Sequence, residues 1–275
     1  MRAPVSCLCL AVLAVASDAA EPSPAAPRQI LLIAGAPDGH PPGTQEYAKS
    51  VLLLRDHLAG LPGASEAFVV ETAWNGWPDD PAAIERADAI ALFTSGSDRR
   101  EQDHPLLVSD RMDLVARAMA RGCGIVTFHY SSFAPNRIGP RILEWVGGYF
   151  DYESGPGPKN WYSRINSWEA RLEPATLDHP ICRGVEPFTI KEEIYWQIRF
   201  RDDDERLVPI LNTVPPGEQE PQTVAWAVER ADGGRGFGFT GGHFFAHWQN
   251  ESFRQLMVNA VLWTAKADVP TAGGP

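Results

Sequence analysis

The sequence predicts an α/β protein with a doubly wound, mostly parallel β-sheet, and three observations support this fold class. Continuous apolar runs such as QILLIAG, AFVVETA and AIALFTSG are typical of strands that are buried on both faces. Segments with apolar residues at helical spacing alternate with these runs. Such alternation favours parallel strands that are joined by right-handed helical crossovers.

The first elements are predicted in the order strand, helix, strand, strand, helix, strand. After QILLIAG, the segment TQEYAKSVLLLRDHLAGL has the pattern of an amphipathic helix, and the loop NGWPDDPAAIERAD separates the second and third strands. A second helix is predicted from about Leu106 to Arg121, where Gly122 ends it. The fourth strand lies in GCGIVTFHYSSF and ends at His129, and PRILEWVGGYF then returns to helical spacing.

The second half of the chain has a different pattern. Residues 151–228 contain short strands and long loops, which we interpret as a β-rich insertion layered on the sheet rather than a separate domain. The closing segment, GRGFGFTGGHFFAHWQNESFRQLMVNAVLWTAK, predicts a strand, a glycine pair, His243 and a long amphipathic helix. The last predicted strand therefore also ends close to a histidine.

Composition narrows the class of ligand. The chain has a formal net charge of -11 and an isoelectric point near 5.1, which argues against a nucleic-acid or anionic-membrane surface because such surfaces need clustered Lys and Arg. A neutral small molecule fits better. The nine tryptophans suit the flat faces of sugar rings, and packing in the core is an equal use for them.

The amino-terminal segment predicts export. Residues 1–20 combine one arginine, a short apolar run and small residues, which is typical of a secretory signal peptide, so a periplasmic or extracellular location is expected, with no membrane insertion after its removal. Residues 21–28 are predicted to be a disordered lead-in, residues 29–267 the α/β domain and residues 268–275 a flexible tail. Cys123 and Cys182 would remain after cleavage, as a disulfide or, preferably, as two buried free thiols beside strands.

Two histidines are placed for chemistry. His129 and His243 each follow a predicted strand, and ligands of open α/β sheets bind beyond the carboxyl ends of the strands. An imidazole with a pKa near its ordinary value of about 6.5 can act as an acid or a base at neutral pH. A shared site requires the two side chains to lie within about 10 Å of each other, so that both reach one substrate group or water.

Five segments together resemble the ThuA-like (trehalose-utilisation) family of the class I glutamine amidotransferase-like superfamily. They are GAPDGHPPGTQEYAKSVLLL, ADAIALFTSG, GIVTFHYSSF with ILEWVGGYF, DHPICRGVEPFTIKEEIYWQIRF, and the closing segment from Gly234. The resemblance implies a flavodoxin-like α/β fold and a role in carbohydrate metabolism. In amidotransferases of this fold a cysteine follows the strand that here precedes His129, so the resemblance implies that this chain does not hydrolyse glutamine.

The resemblance also selects site residues. It implies catalytic roles for His129, His243 and Glu193, and substrate-binding roles for His40, Glu46, Tyr195 and Trp248. Other interpretations remain open at several positions, because His40 also fits a helix cap, Glu46 a first-turn residue that complements the helix dipole, and Trp248 a cover over the last helix. Glu192 is expected to point to the face opposite Glu193, since side chains alternate along a strand.

Three functions fit these residues. In the first, His129 or His243 accepts a proton while Glu193, with its pKa raised by burial, donates one, which would serve hydrolysis, elimination or isomerisation of a sugar, keto-sugar or glycoside. In the second, His40, His129 and His243 bind a divalent metal such as zinc in a metal-dependent hydrolase, although the sequence requires no cofactor and GPGPKNWYSRINSW lacks the additional histidine of related loops. In the third, the chain is a non-catalytic carbohydrate-binding or accessory protein.

Overall fold

The computed structural model describes residues 26–152 and 163–271. The predicted signal peptide over residues 1–20, most of the lead-in and the end of the tail lie outside the described residues. The first strand begins at Arg28, and the last helix ends at Thr264. No helix in the described ranges is both long enough and apolar enough to cross a membrane.

Strands and helices alternate through the first part of the chain. The strands are β1 (Arg28–Ala34), β2 (Phe68–Ala73), β3 (Ala89–Phe93), β4 (Gly124–Phe128), β5 (Gly148–Tyr149), β6 (Arg164–Pro174), β7 (Phe188–Trp196), β8 (Arg199–Phe200), β9 (Leu207–Thr213), β10 (Gln222–Glu229) and β11 (Arg235–Phe239). The helices are α1 (Tyr47–Ala59), α2 (Ala64–Ala67), α3 (Ala82–Arg86), α4 (Arg111–Ala120), α5 (Gly139–Trp145) and α6 (Glu251–Thr264).

Within the described ranges, nine strands form one sheet in the order β2-β1-β3-β4-β11-β10-β9-β6-β7. The pairs from β2 to β11 are parallel, and the pairs from β11 to β7 are antiparallel. All residues of β3 and β4 are buried, because apolar clusters cover both faces of this part of the sheet. The prediction of a doubly wound α/β sheet with a parallel central part and additional strands is confirmed.

Two details of the predicted fold differ from the structure. The helix predicted from Leu106 begins at Arg111, because Pro105–Leu107 form a separate 3-10 turn and Ser109 has a φ of 52° that interrupts regular helix. The β-rich half is not layered on the sheet. Its strands β10, β9, β6 and β7 continue the sheet sideways from β11, because backbone pairing rather than face packing satisfies their hydrogen bonds.

Both cysteines of the described chain are free and buried. Burial raises the pKa of the Cys123 thiol to about 12 and that of Cys182 to about 11. Such thiols are poor nucleophiles at neutral pH, because the thiolate is the reactive form. The structure agrees with the preference for two free thiols over a disulfide.

Candidate functional site

The candidate site lies at the carboxyl ends of β4 and β11. His129 directly follows β4 and has a φ of 45°, a left-handed conformation that is uncommon for a residue with a side chain. His243 follows β11 after Gly242, whose φ of 111° suits glycine. β7 is the outermost strand on the antiparallel side of the sheet, but its carboxyl end contacts the turn after β11. The contact is a hydrogen bond of 2.9 Å that the Thr240 hydroxyl donates to the Tyr195 carbonyl.

Three side chains converge at one point, as the strand-end argument requires. His129 Nε2 lies 3.1 Å from His243 Nδ1 and 3.5 Å from Glu193 Oε1, and His243 Nδ1 lies 3.3 Å from Glu193 Oε1. The two histidines therefore meet the geometric condition for a shared site. Two neighbouring ligand atoms that each bind one cation at about 2.1 Å lie roughly 3.0 Å from each other in octahedral coordination and roughly 3.4 Å in tetrahedral coordination. The three atoms have this spacing.

The tautomer of His129 is set by its backbone partner. His129 Nδ1 lies 2.7 Å from the Thr240 carbonyl oxygen, and because a carbonyl can only accept, Nδ1 carries the proton of the neutral ring. Nε2 then presents its lone pair to His243 and Glu193. The Tyr195 hydroxyl lies 3.0 Å from the same Nε2. A histidine held in this way has the arrangement usual for metal-binding imidazoles, in which the second ring nitrogen is bonded to a carbonyl or carboxylate.

The protonation states of Glu193 and His243 differ from those that the predicted acid–base pair requires. Burial acts to raise the pKa of Glu193, but its contact with His129 and its attraction to the nearby imidazoles outweigh burial, so the pKa lies below its ordinary value. The expectation of a raised pKa at Glu193 was wrong, and this carboxylate is ionised at neutral pH. Burial, followed by the proximity of His129, lowers the pKa of His243 to about 4. His243 is therefore neutral.

Glu192 is a site residue that the sequence interpretation missed. It does lie on the opposite face from Glu193, but that face is buried against the turn before His243. Its carboxylate accepts hydrogen bonds from the backbone N–H groups of Gly242 at 3.0 Å and His243 at 3.2 Å. Burial raises its pKa to about 8. The adjacent glutamates of IKEEIYW were the available signal, since a glutamate without solvent on a buried strand needs a dedicated partner.

His40 lies beside the cluster but is bound by another carboxylate. His40 Nδ1 is 2.6 Å from Asp38 Oδ1, while Asp38 Oδ2 accepts from the hydroxyl groups of Tyr47 at 2.7 Å and Ser95 at 2.8 Å. The His40 ring centroid is 5.8 Å from that of His243. The predicted metal-binding set of His40, His129 and His243 is therefore not the one brought together, because Glu193 occupies the third position.

The other predicted substrate-binding residues have separate places. Tyr195 is part of the cluster. Glu46 accepts from the Gly43 backbone N–H at 2.9 Å and pairs with Lys49 at 2.9 Å, so it holds the turn before α1. Trp248 is only 5% exposed, and its indole N–H donates to the Ser50 hydroxyl at 3.1 Å. The structure brings neither Glu46 nor Trp248 to the three converging atoms, and Trp248 has no free face for a sugar.

A further residue, Gln45, covers the site from the loop before α1. Its backbone N–H donates to the His243 carbonyl at 2.9 Å, and its side-chain Nε2 lies 3.3 Å from His243 Nδ1. Gln45 has a φ of 50°, so the loop before α1 turns sharply over the histidines. The Pro- and Gly-rich sequence of this loop predicts a turn but not the long-range contact that it makes.

The fold and site define an α/β protein in which two histidines and a glutamate meet at the carboxyl ends of the parallel strands. The sequence model of the ThuA family, described as trehalose utilisation, matches residues 101–264. The chain belongs to this family, which indicates a role connected with carbohydrates.

Two solved structures of ThuA-like proteins show the same fold. A ThuA-like protein from Bacteroides uniformis matches with a TM-score of 0.62 at 13% identity, covering 90% of this chain and 94% of its own. A second from Parabacteroides merdae matches with a TM-score of 0.58 at 17% identity, covering 87% and 90%. PurLQS from Thermotoga maritima has a TM-score of 0.48 at 13% identity over 87% and 97%. No curated protein sequence matches the chain. At these identities the similarity is one of fold.

Proposed function

We propose that this protein is an exported, carbohydrate-active enzyme that uses a divalent cation, held by His129, Glu193 and His243, to transform a sugar or keto-sugar. The observation that carries the proposal is the convergence of His129 Nε2, His243 Nδ1 and Glu193 Oε1 within 3.1 to 3.5 Å of one another. The family description supports the carbohydrate, and the leader-like residues 1–20 support export.

A cation explains the cluster better than proton transfer between its members. In its neutral form His129 presents a lone pair at Nε2, His243 is neutral and Glu193 is ionised, so three acceptors would face one point. An ionised Glu193 has no proton to return to a leaving group, which removes the acid from the acid–base scheme. Two imidazoles and one carboxylate with an open fourth position form the ligand set of hydrolytic zinc sites.

The surrounding residues have distinct roles in this proposal. A bound cation would polarise a substrate oxygen or activate a water molecule. Thr240 fixes the His129 ring, and Glu192 fixes the backbone of His243 through its N–H group. The Tyr195 hydroxyl, 3.0 Å from His129 Nε2, lies where it can hydrogen-bond a substrate oxygen. His40 is held between Asp38, 2.6 Å from its Nδ1, and Arg99, 3.1 Å from its Nε2, at the edge of the site. Hydrolysis, elimination and isomerisation are the reaction classes that this arrangement supports.

Metal binding and turnover test the proposal together. Wild-type protein, stripped with chelator and reloaded, is expected to bind about one equivalent of Zn²⁺ or Mn²⁺ in calorimetry and to convert at least one member of a panel of sugars and oxidised glycosides. His129→Ala and Glu193→Ala are expected to weaken metal binding at least about 100-fold and to abolish turnover, since each removes a ligand. His57→Ala, on α1, is the matched control and should retain both.

Two outcomes would overturn the proposal. If neither metal binds more tightly than about 1 mM, or if turnover persists after chelation, the cation has no role and the acid–base scheme returns. If sugars bind without conversion under every metal condition, and binding survives His129→Ala, the protein is a carbohydrate-binding accessory protein rather than an enzyme.

A further inference from the structure

A second cavity lies in the β-rich half, apart from the histidine cluster. Strand β6 pairs with β7 from Arg164 to Leu172, but with β9 only at Glu173 and Pro174. Because the part of β6 that precedes these two pairs does not pair with β9, a groove of about 440 Å³ opens between the two strands. This volume falls within the range of about 300–1,000 Å³ that is usual for small-molecule sites. The groove-lining residues that matter below are Trp168, Glu169, Arg171, Glu173, Asn212 and Val214.

The groove has one aromatic side and one hydrogen-bonding side. The partly exposed Trp168 indole is held edge-on by Trp196, with ring centroids 5.7 Å apart and an interplanar angle of 78°. Val214, which is 48% exposed, adds apolar surface. The other four side chains named above, those of Glu169, Arg171, Glu173 and Asn212, include both hydrogen-bond donors and acceptors.

The polar side chains are arranged for a ligand that both donates and accepts. The Arg171 guanidinium is held by Glu173 at 2.7 Å, which leaves other N–H groups of its planar fork for a ligand. The Glu169 carboxylate only accepts. Asn212 Oδ1 accepts from the Thr223 hydroxyl at 3.1 Å, so the Asn212 NH₂ group remains as a donor. An aromatic face beside such donors and acceptors matches a sugar ring, whose C–H face is apolar and whose hydroxyls donate and accept.

Charge in the groove disfavours other ligands. Glu169 and Glu173 outnumber Arg171, so anionic sugars and phosphates would meet repulsion. The Trp168 and Val214 surface gives a small cation little to bind. We infer that the groove between β6 and β9 is a second carbohydrate-binding site, which holds a neutral oligosaccharide segment on Trp168 without taking part in catalysis.

The groove and the histidine cluster share one β-hairpin. In the register of β6 with β7, Trp168 lies opposite Glu192 and Ser167 opposite Glu193. Because paired residues point to the same face, Trp168 lies on the face of the hairpin that carries Glu192, opposite Glu193. A ligand on Trp168 would therefore occupy a site separate from the histidine cluster. The inference goes beyond the proposed function and does not require the metal.

The test uses the full chain with Glu193→Ala, so that no ligand is converted. Binding of maltohexaose and cellohexaose is measured by calorimetry and by quenching of tryptophan fluorescence. Trp168→Ala is expected to weaken binding at least about tenfold, or roughly 1.4 kcal/mol, because an aromatic anchor is lost. Trp74→Ala, which removes a 39% exposed tryptophan outside the groove, is expected to leave binding unchanged.

A second variant covers the case in which Trp168→Ala fails to fold. Arg171→Ala changes an exposed side chain and is expected to weaken binding several-fold with an unchanged circular dichroism spectrum. The inference is overturned if neither hexasaccharide binds at 10 mM, which we set as about the weakest useful affinity. It is also overturned if binding survives Trp168→Ala or Arg171→Ala but is lost in His129→Ala, since the sugar would then occupy only the histidine site.

Discussion

At the scale of single residues, His129 combines chemistry with an unusual backbone. Its φ of 45° is held in a buried position by the bond from Nδ1 to Thr240 and by the Ser132 hydroxyl, which donates to the His129 carbonyl at 2.5 Å. A residue with a side chain in such a conformation costs about 1–3 kcal/mol, and such residues cluster at functional sites. The strained turn aims Nε2 at His243 Nδ1 and Glu193 Oε1.

This strain can be measured by comparing two substitutions. His129→Gly and His129→Ala both remove the imidazole, but glycine adopts a positive φ without strain. We expect the metal-free glycine variant to unfold with a free energy about 1 kcal/mol higher than that of the alanine variant. Urea denaturation followed by fluorescence measures the difference. Equal midpoints, or a more stable alanine variant, would show that the backbone at residue 129 is relaxed.

The sequence identified some site residues and missed others for a physical reason. His129 and His243 were predicted because both follow strands of one sheet, whose carboxyl ends must meet. Asp38, Gln45 and Glu192 were missed because their roles depend on contacts between turns and strands far apart in the chain. Asp38 lies two residues before His40, and this spacing was the one local signal for its hydrogen bond.

At the scale of elements, the site depends on a junction between β7 and the turn after β11. Glu192 on β7 accepts from the backbone N–H groups of Gly242 and His243, and also from that of Glu193 at 2.7 Å. One carboxylate therefore fixes the backbones of Glu193 and His243, two of the three residues that converge. The junction holds the curled end of β7 against the carboxyl end of the parallel sheet.

Substitution of Glu192 should separate this positioning role from direct binding. Glu192→Ala leaves buried N–H groups without acceptors, at about 1–3 kcal/mol each. With three such groups we expect a loss of at least about 3 kcal/mol in the free energy of unfolding, and Zn²⁺ binding weakened about 10- to 100-fold, as for other residues that orient metal ligands. Glu192→Gln keeps one acceptor and should show smaller losses in both measurements.

Lys191→Ala provides the control on the same strand, because its side chain is exposed. Chemical denaturation and calorimetry of the three variants measure both effects. Wild-type zinc affinity in Glu192→Ala would contradict the positioning role, whatever happens to stability.

The architecture of the β-rich half could be predicted less well than the parallel half. Buried parallel strands such as β3 and β4 have continuous apolar runs that stand out from their surroundings. Strand β6 has only two buried residues of eleven, Ala170 and Leu172, and its partners β7 and β9 follow it at a distance along the chain. The pairing of such a strand is set by long-range register rather than by local pattern.

At the scale of the whole molecule, stability should depend on pH through a buried histidine. His104 is 1% exposed, and burial lowers its pKa to about 4. Its ordinary pKa is about 6.5, so the unfolded chain takes up a proton in the range between these values while the folded chain does not. The stabilisation is complete above pH 6.5 and is lost as the pH falls to about 4. It amounts to about 3 kcal/mol.

His104→Asn isolates this contribution. Asparagine can still accept the hydrogen bond that Leu106 N–H gives to His104 Nδ1, but it does not titrate. The difference in unfolding free energy between wild type and variant should fall by about 3 kcal/mol from pH 7 to pH 4. Groups with the opposite trend, such as Glu192 with its raised pKa, are common to both proteins and cancel. A constant difference across this range in urea denaturation would contradict the prediction.

We expect the loop before α1 to affect the rates at which a ligand binds and leaves, rather than its affinity. The Gln45 N–H donates to the His243 carbonyl and the Phe245 N–H to the Gly43 carbonyl, both at 2.9 Å, while His129 and His243 are only 2% and 8% exposed. We therefore expect a ligand to reach the imidazoles when these bonds break, and to leave in the same way. Association and dissociation of a ligand would then be slowed by the same opening step, which would lengthen its residence time without a gain in affinity.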